Sequence, residues 1–487
     1  MNHHKIRLYI LNKVFVAVSF LSLLLVISCK SKSNSSSELS DSKQETNANK
    51  SFNVVSKPEG AITVKPGEIY YSIPCPSDSN FHFSLYLPIN YQTNEKTPVF
   101  ILFDPQGHGS DPIEKYKELA DQYNFILLGS NDSKNGNSKE NTAAITTLML
   151  DAAYQYFPSD STLFFAGGFS GGARVASMLA LGGYPFHGLF VSGAGFPADY
   201  WKSDFPKIIV GAAGNNDMNR NELISIEKNL DGTKNFQFLK YEGKHEWPPY
   251  TEMEQVFVAF KASLIKSKMI LSSKKDISLI NDVFMKKEQY LLMSSESLEL
   301  MSLYNQWISN LKGLSNINSI ENKRKNLLSA KSYTAALNQD KKLTIEEQNL
   351  VSVMLTNFGT KDITWWKKEM LSYNGIQKRS DKATAAMYER VRGTLSLNCY
   401  MNLTRAMQGN NMNSIRYLSG LYVAIDEENS EAWYLTAILN MKQNLPDDAL
   451  YCLKKAKEKG FTDTNRMMAE DAFSPLHNSP RFTQLMQ

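Results

Sequence analysis

Leu163-Phe164-Phe165-Ala166-Gly167 runs into Gly168-Phe169-Ser170-Gly171-Gly172 and then Ala173-Arg174-Val175-Ala176-Ser177-Met178-Leu179-Ala180. That is an apolar strand pattern, a Gly-x-Ser-x-Gly corner and a helix-period segment in succession. A serine at such a corner is held in a strained backbone conformation, with its hydroxyl projecting from the top of a sheet. Small residues are needed two positions to either side because strand and helix pass so close together. Here both are glycine, Gly168 and Gly172. The backbone N–H of Gly171 would then sit at a helix N-terminus, aimed at negative charge developing beside the serine. A chain of this length contains the pattern by chance roughly one time in ten, so its meaning depends on its company.

Short apolar runs alternate with helix-period segments on both sides of the corner. The pattern predicts an opening hairpin over 68–74 and 81–88, then strands over 98–103, 125–129, 163–167, 188–191, 207–211 and 236–241. Helices are predicted near 113–123, 142–157 and 251–264. Such alternation builds a mostly parallel sheet covered on both faces, and chemistry there collects at the carboxyl ends of the strands. Three groups fall at such ends: Ser170, Asp217 in Gly211-Ala212-Ala213-Gly214-Asn215-Asn216-Asp217, and His245 in Gly243-Lys244-His245-Glu246-Trp247-Pro248-Pro249.

The order Ser, Asp, His at strand ends resembles the α/β-hydrolase superfamily. The Gly-x-His-x-Trp-Pro run is most similar to its dienelactone-hydrolase, feruloyl-esterase and polyhydroxyalkanoate-depolymerase side. The resemblance covers about 200 residues and implies a doubly wound, mostly parallel α/β domain over 54–268. It makes Ser170 the nucleophile, His245 the base and Asp217 the acid that orients the imidazole. Among competing acids, Asp199 and Asp204 come too early in the topology and Glu222 falls inside a predicted helix.

The resemblance places a first oxyanion donor at Gly171 and a second in Asp104-Pro105-Gln106-Gly107-His108-Gly109. Pro105 has no N–H, so Gln106 or Gly107 is the expected donor, although the loop departs from the His-Gly-Gly form of many esterases. His108 reaches substrate from that loop or is structural. Trp247 and the aromatic loop around Trp201 either wall an acyl pocket or are ordinary core and rim. This chemistry requires no metal or cofactor.

At 487 residues the chain is long enough for two or three domains. It is 42% hydrophobic and 21% charged, as an ordinary globular protein is. Of its net charge of +4, Lys5, Arg7 and Lys13 lie in a segment read below as removed. With so little charge left, no nucleic-acid partner is implied. After Cys29, Cys75, Cys399 and Cys452 are scattered, with neither metal-ligand spacing nor a disulfide framework.

Residues 1–28 have a basic start and an apolar run, and read as a secretion signal. The run ends Val26-Ile27-Ser28-Cys29, which resembles a bacterial lipobox and makes Cys29 the lipidated residue. The alternative is an uncleaved membrane anchor, for which the apolar stretch is short. Residues 29–53 follow as a Ser-, Lys- and Asn-rich tether with nothing to bury. Its reach is roughly 25–30 Å. A membrane association through the lipid, on an unspecified leaflet of the cell envelope, is expected.

From about 270 to 487 strand-like runs disappear and helical periodicity takes over. Trp433, Ala437, Ala449, Leu453 and Ala456 have the spacing of a tetratricopeptide repeat, in which small residues let two helices pack closely and an aromatic fills the gap. The resemblance implies an all-α, tetratricopeptide-like domain with a possible role in docking a protein partner. A chain ending near Ser267 is then expected to fold by itself.

The reading that unites these features is an exported, lipid-anchored serine hydrolase acting on a small-molecule or glycan-linked ester. A peptidase of the same fold is an alternative, and a binding lipoprotein acting through its helical repeats is another.

Overall fold

The computed structural model describes residues 64–157, 163–184, 186–196, 206–230, 235–409 and 411–486. Residues 1–53, with Cys29, lie outside the described residues, as do Asp199, Trp201 and Asp204. Ser56–Gln487 form one compact unit.

Two antiparallel strands open it, β1 (Ile69–Cys75) and β2 (Asp78–Tyr86). There follow β3 (Val99–Phe103), α1 (Ser110–Tyr123), β4 (Ile126–Ser130), α2 (Lys139–Tyr156), β5 (Phe164–Phe169) and α3 (Gly171–Leu181). Then come β6 (Gly188–Ser192), β7 (Ile208–Gly214), α4 (Arg220–Leu230), β8 (Phe236–Tyr241) and α5 (Tyr250–Lys266). The eight strands form one sheet in the order β1-β2-β4-β3-β5-β6-β7-β8. β2 pairs antiparallel with β4, and every later pair is parallel. The sheet is mostly parallel with helices on both faces, as the alternation of segments predicts.

Parallel strands are buried on both faces, so they are apolar throughout and side chains alternate between two cores. Phe100, Leu102, Phe165, Phe190 and Val210 face α1 and α5. Val99, Ile101, Phe164, Val191 and Ile209 face the opposite way, onto α2, α3 and α4. Phe100 meets Phe257 and Phe260 of α5 edge-on, with ring centroids 5.7 and 5.2 Å apart.

The chain continues as helices alone. The first three are α6 (Lys274–Ser294), α7 (Ser297–Leu311) and α8 (Asn318–Leu328). The division expected at 268–270 does not coincide with a boundary between cores. Phe284, Leu303, Tyr304, Trp307, Leu311 and Ile320 belong to the same apolar cluster as Phe100 and Phe257. The cause is the sheet edge. β8 is the last strand, and an edge leaves carbonyls without strand partners. Ser302 Oγ and Gln306 Nε2 both donate to the Phe238 carbonyl, at 2.8 and 3.0 Å. The buried amides of Gln237 and Asn310 exchange hydrogen bonds of 2.9 and 3.1 Å. α7 thus covers the edge that a ninth strand would otherwise occupy.

A separate apolar cluster joins α9 (Lys331–Thr356), α10 (Ile363–Gln377), α11 (Lys382–Gln408), α12 (Met412–Ile425), α13 (Ser430–Lys442) and α14 (Pro446–Glu458). Short helices α15 (Thr464–Ala469) and α16 (Pro480–Met486) close it. Ala437, Ala449, Leu453 and Ala456 are fully buried there, which lets α13 and α14 pack closely. The aromatic in the gap differs from expectation. Tyr434 is fully buried and stacks on Phe461 at 4.5 Å, whereas the neighbouring Trp433 stays half-exposed and bonds to the Glu427 carbonyl. Both rings meet the cluster, Tyr434 from inside it and Trp433 from its margin.

A chain ending at Ser267 is expected not to fold cooperatively, contrary to the expectation from sequence. Each large apolar side chain that α6–α8 bury contributes about 1.5–3 kcal/mol, against a total stability of about 5–15 kcal/mol. A chain ending at Ala330 keeps that core entire and should show a cooperative melt. Calorimetry of the two truncations checks this, and equal melting would show that α6–α8 are dispensable.

Candidate active site

Ser170 caps α3 with φ 52° and ψ −117°, a left-handed φ that non-glycine residues avoid. The surroundings enforce it. A Cβ on Gly172 would lie 1.8 Å from the Phe103 carbonyl oxygen, and one on Gly168 would lie 2.4 Å from the Gly172 carbonyl carbon. Ser170 N–H donates to the Ser192 carbonyl at 2.8 Å, tying the corner to the end of β6.

Asp217 follows β7 and is fully buried, while the His245 side chain is 23% exposed. His245 Nδ1 lies 3.0 Å from Asp217 Oδ1 and Nε2 lies 2.9 Å from Ser170 Oγ. A buried carboxylate selects the tautomer with its proton on Nδ1, leaving Nε2 to accept from the serine hydroxyl. Asp217 Oδ1 also accepts the Asn219 N–H at 2.8 Å, which fixes the carboxylate against its own turn. The three residues separated by 47 and 28 positions in sequence are therefore one hydrogen-bonded chain. Glu222, a competing acid, is spent elsewhere: it pairs with Arg174 at 3.1 Å and accepts the Gly195 N–H at 2.9 Å.

The loop carrying His245 is held along its length. Tyr241 O–H donates to the Glu246 carbonyl at 3.0 Å, and Tyr116 O–H to the Pro248 carbonyl at 2.6 Å. Burial, reinforced by the Asp217 carboxylate, pushes the Tyr241 phenol well above its ordinary value, so it remains a donor. Trp247 Nε1 donates to Asp104 Oδ2 at 3.0 Å. Its ring stands 5.8 Å from Phe169, which in turn lies 4.6 Å from the His245 ring. Trp247 is thus partly buried, against the aromatic side of the triad.

The β3–α1 loop behaves differently from expectation. Gly171 occupies the first position of α3, where the N–H has no helical acceptor. Gln106 N–H, however, donates to Asp104 Oδ1 at 2.8 Å and Gly107 N–H to the Asp104 carbonyl at 3.2 Å. Both candidate second donors are engaged inside their own turn. Asp104, which lies largely buried and anchors Trp247 as well, was not singled out from sequence. His108 Nδ1 sits 3.5 Å from Asp111 Oδ2, with its side chain half-exposed.

A second contribution with no sequence signal comes from the helices. Arg390 of α11 donates to both Glu347 Oε2, at 2.7 and 2.9 Å, and the Asn215 carbonyl, at 2.6 Å. Asn215 lies two residues before Asp217. Asn221 donates to Glu347 at 2.8 Å and Arg220 pairs with Asp340 at 2.9 Å. Burial works against the Asp340 carboxylate, but Arg220 and Lys240 outweigh it and hold the carboxyl below its ordinary value. α9 and α11 therefore brace the turn that presents the acid.

Among the described residues, no group of three or more His, Cys, Asp or Glu is placed to hold a metal ion. No described helix is long and apolar enough to cross a membrane.

No family model matches the chain, and no curated relative matches its sequence. Among solved structures it is similar to the feruloyl esterase module of Clostridium thermocellum, at 14% identity and TM-score 0.34 over 40% of this chain and 87% of that one. An S-formylglutathione hydrolase of Agrobacterium tumefaciens is similar at 13% identity and TM-score 0.32, over 40% and 94%. The acetyl xylan esterase of Aspergillus awamori is similar at 15% identity and TM-score 0.31, over 40% and 100%. Each likeness is distant and spans under half of this chain.

Arg390→Met is expected to lower stability by about 3–5 kcal/mol, because it leaves Glu347 buried without its cation. Replacing both, Arg390→Met with Glu347→Met, should recover most of the loss. Urea unfolding of the two variants measures this; a single-variant loss under about 1 kcal/mol would place the pair in the class of solvated ion pairs.

Proposed function

We propose that the protein is a serine hydrolase acting on carboxylic esters through an acyl-enzyme. The observation that carries the proposal is the chain Ser170–His245–Asp217, closed by contacts of 2.9 and 3.0 Å at a positive-φ corner. A strained serine flanked by forced glycines costs stability and has no use in packing. It is the geometry needed to expose a hydroxyl to a general base.

Ser170 Oγ attacks the ester carbonyl while His245 Nε2 takes its proton. Asp217 stabilises the imidazolium that forms and keeps the ring in register. The carbonyl electron pair moves onto oxygen, where the Gly171 N–H and the positive end of α3 meet it. As the tetrahedral centre collapses, His245 returns the proton to the departing alkoxide, leaving the acyl group on Ser170. Water, deprotonated by the same imidazole, then releases the acid. Trp247 and Phe169 supply an apolar wall beside His245 that suits an acyl or aryl group.

The N-terminal segment gives the proposed setting. Cys29, after removal of residues 1–28, carries the lipid, and the tether to residue 53 lets the enzyme stand off a membrane of the cell envelope. The helices from 331 onward, with the tetratricopeptide-like spacing of α13 and α14, are proposed to offer a docking surface besides bracing the site.

Ser170→Ala is expected to reduce p-nitrophenyl acetate turnover by on the order of 10³–10⁶ and to abolish labelling by a fluorophosphonate probe, with the circular dichroism unchanged. Asp217→Asn should cost roughly 10⁴ by setting the wrong histidine tautomer. Turnover within a few-fold of the parent in Ser170→Ala would remove the assignment. Cys29→Ser should abolish incorporation of a fatty-acid analogue and partitioning into detergent while leaving esterase activity intact; retained label would remove the lipid anchor from the reading.

A further inference from the structure

We propose that the side-chain amide of Asn135 is the second oxyanion donor, facing the Gly171 N–H; this rests on Ser170 being the nucleophile.

The first observation is a glycine that the corner itself does not require. The close passage of strand and helix accounts for Gly168 and Gly172, which would strike backbone. Gly171 has ordinary helical geometry. A Cβ there would instead lie 1.9 Å from Asn135 Oδ1, 2.8 Å from its Cγ and 3.2 Å from its Nδ2. A side chain at residue 171 would have to displace this amide.

The direction of approach is the useful one. Cα–Cβ bonds on a helix tilt toward its N-terminus, and the unsatisfied N–H groups of the first turn point the same way. The Asn135 amide therefore stands beside the first turn of α3, against Gly171. The backbone beneath it is anchored: Asn135 N–H donates to the Pro105 carbonyl at 2.8 Å. Asn137 Nδ2 donates to the Asp132 carbonyl at 2.9 Å, and Asp132 accepts the His82 N–H at 2.6 Å. Among the described residues nothing hydrogen-bonds the amide group itself. Its two N–H donors are free to turn toward substrate by rotation of the terminal amide.

The loop that would ordinarily be expected to donate is spent. Pro105 has no N–H, and Gln106, Gly107 and His108 all direct theirs onto Asp104. Attack by Ser170 Oγ breaks the carbonyl π bond, its electron pair goes to the oxygen, and the hydroxyl proton goes to His245 Nε2. That oxygen then takes one hydrogen bond from Gly171 N–H and one from Asn135 Nδ2. A side-chain amide of this kind is a known form of oxyanion donor, worth about 10²–10³ in kcat.

The test is steady-state hydrolysis of p-nitrophenyl acetate by the full chain, with binding of an alkyl trifluoromethyl ketone, which adds to the serine as a tetrahedral oxyanion. Asn135→Ala should lower kcat by about 10²–10³ with KM little changed, and weaken ketone binding by a comparable factor. Asn135→Asp, of nearly the same shape but with an acceptor and a negative charge in place of the donor, should fall at least as far. Since Asn135 is exposed, both variants should melt as the parent does. Either variant within threefold of the parent in kcat, or a loss of kcat with ketone binding unchanged, overturns the assignment of Asn135 alone. A parent chain that neither hydrolyses the ester nor binds the ketone overturns the hydrolase reading, and this proposal with it.

Discussion

The structure turns on the distance between the end of β3 and the start of α3. The Phe103 carbonyl occupies the space that any side chain at residue 172 would need. Such an approach is possible only with glycine, and it forces Ser170 into a positive φ. Strand β3 pairs with β5 on one side and β4 on the other, so the loops leaving all three strands converge around the serine. The His245 and Asp217 loops leave β8 and β7 on the same edge of the sheet, where parallel strands put all their carboxyl ends. One tight contact at the sheet's centre thereby sets where every other group of the site must arrive.

What holds the loops there is a set of hydrogen bonds made by buried tyrosine and arginine side chains and a partly buried tryptophan. Tyr116 and Tyr241 fix the His245 loop, Trp247 ties it to Asp104, and Arg390 fixes the turn before Asp217. Each donor is bound to a carbonyl or carboxylate, so little freedom is left to the triad. A histidine held on both sides loses less entropy in reaching its reactive geometry than one on a free loop.

The helical region is accordingly more than an appendage. α7 satisfies the carbonyl of the edge strand β8 and completes the core behind α5. α9 and α11 carry the Glu347, Asp340 and Arg390 side chains that meet the acid turn. Covering an exposed edge protects the sheet from pairing with another chain, and the contacts from α9 and α11 make the turn before Asp217 depend on residues more than 100 positions further on. A docking function for α13 and α14 would act from a body already joined to the site through this network.

Much of this was legible in the chain itself. Buried parallel strands must be continuous apolar runs, so β3 to β8 could be located within a few residues, and the opening antiparallel pair was visible as a hairpin. A Gly-Phe-Ser-Gly-Gly corner and a Gly-Lys-His-Glu-Trp-Pro run directly after such strands marked Ser170 and His245, because topology fixes which end of a parallel strand carries chemistry. The small-residue spacing of α13 and α14 was visible for the same kind of reason, since close helix packing needs alanine at fixed intervals. Asn135 and Arg390 were not legible. One lies in a polar loop without periodicity and the other within an ordinary helix, and packing alone brings Asn135 against Gly171 and Arg390 onto the Asn215 carbonyl. The engagement of Gln106 and Gly107 by Asp104, the choice of Tyr434 over Trp433, and the shared core across residue 268 belong to the same class. Local patterning determines which segments become strands and helices and which residues stand at their ends. Contacts between segments far apart in sequence depend on how the formed elements pack, and only the tertiary structure decides them.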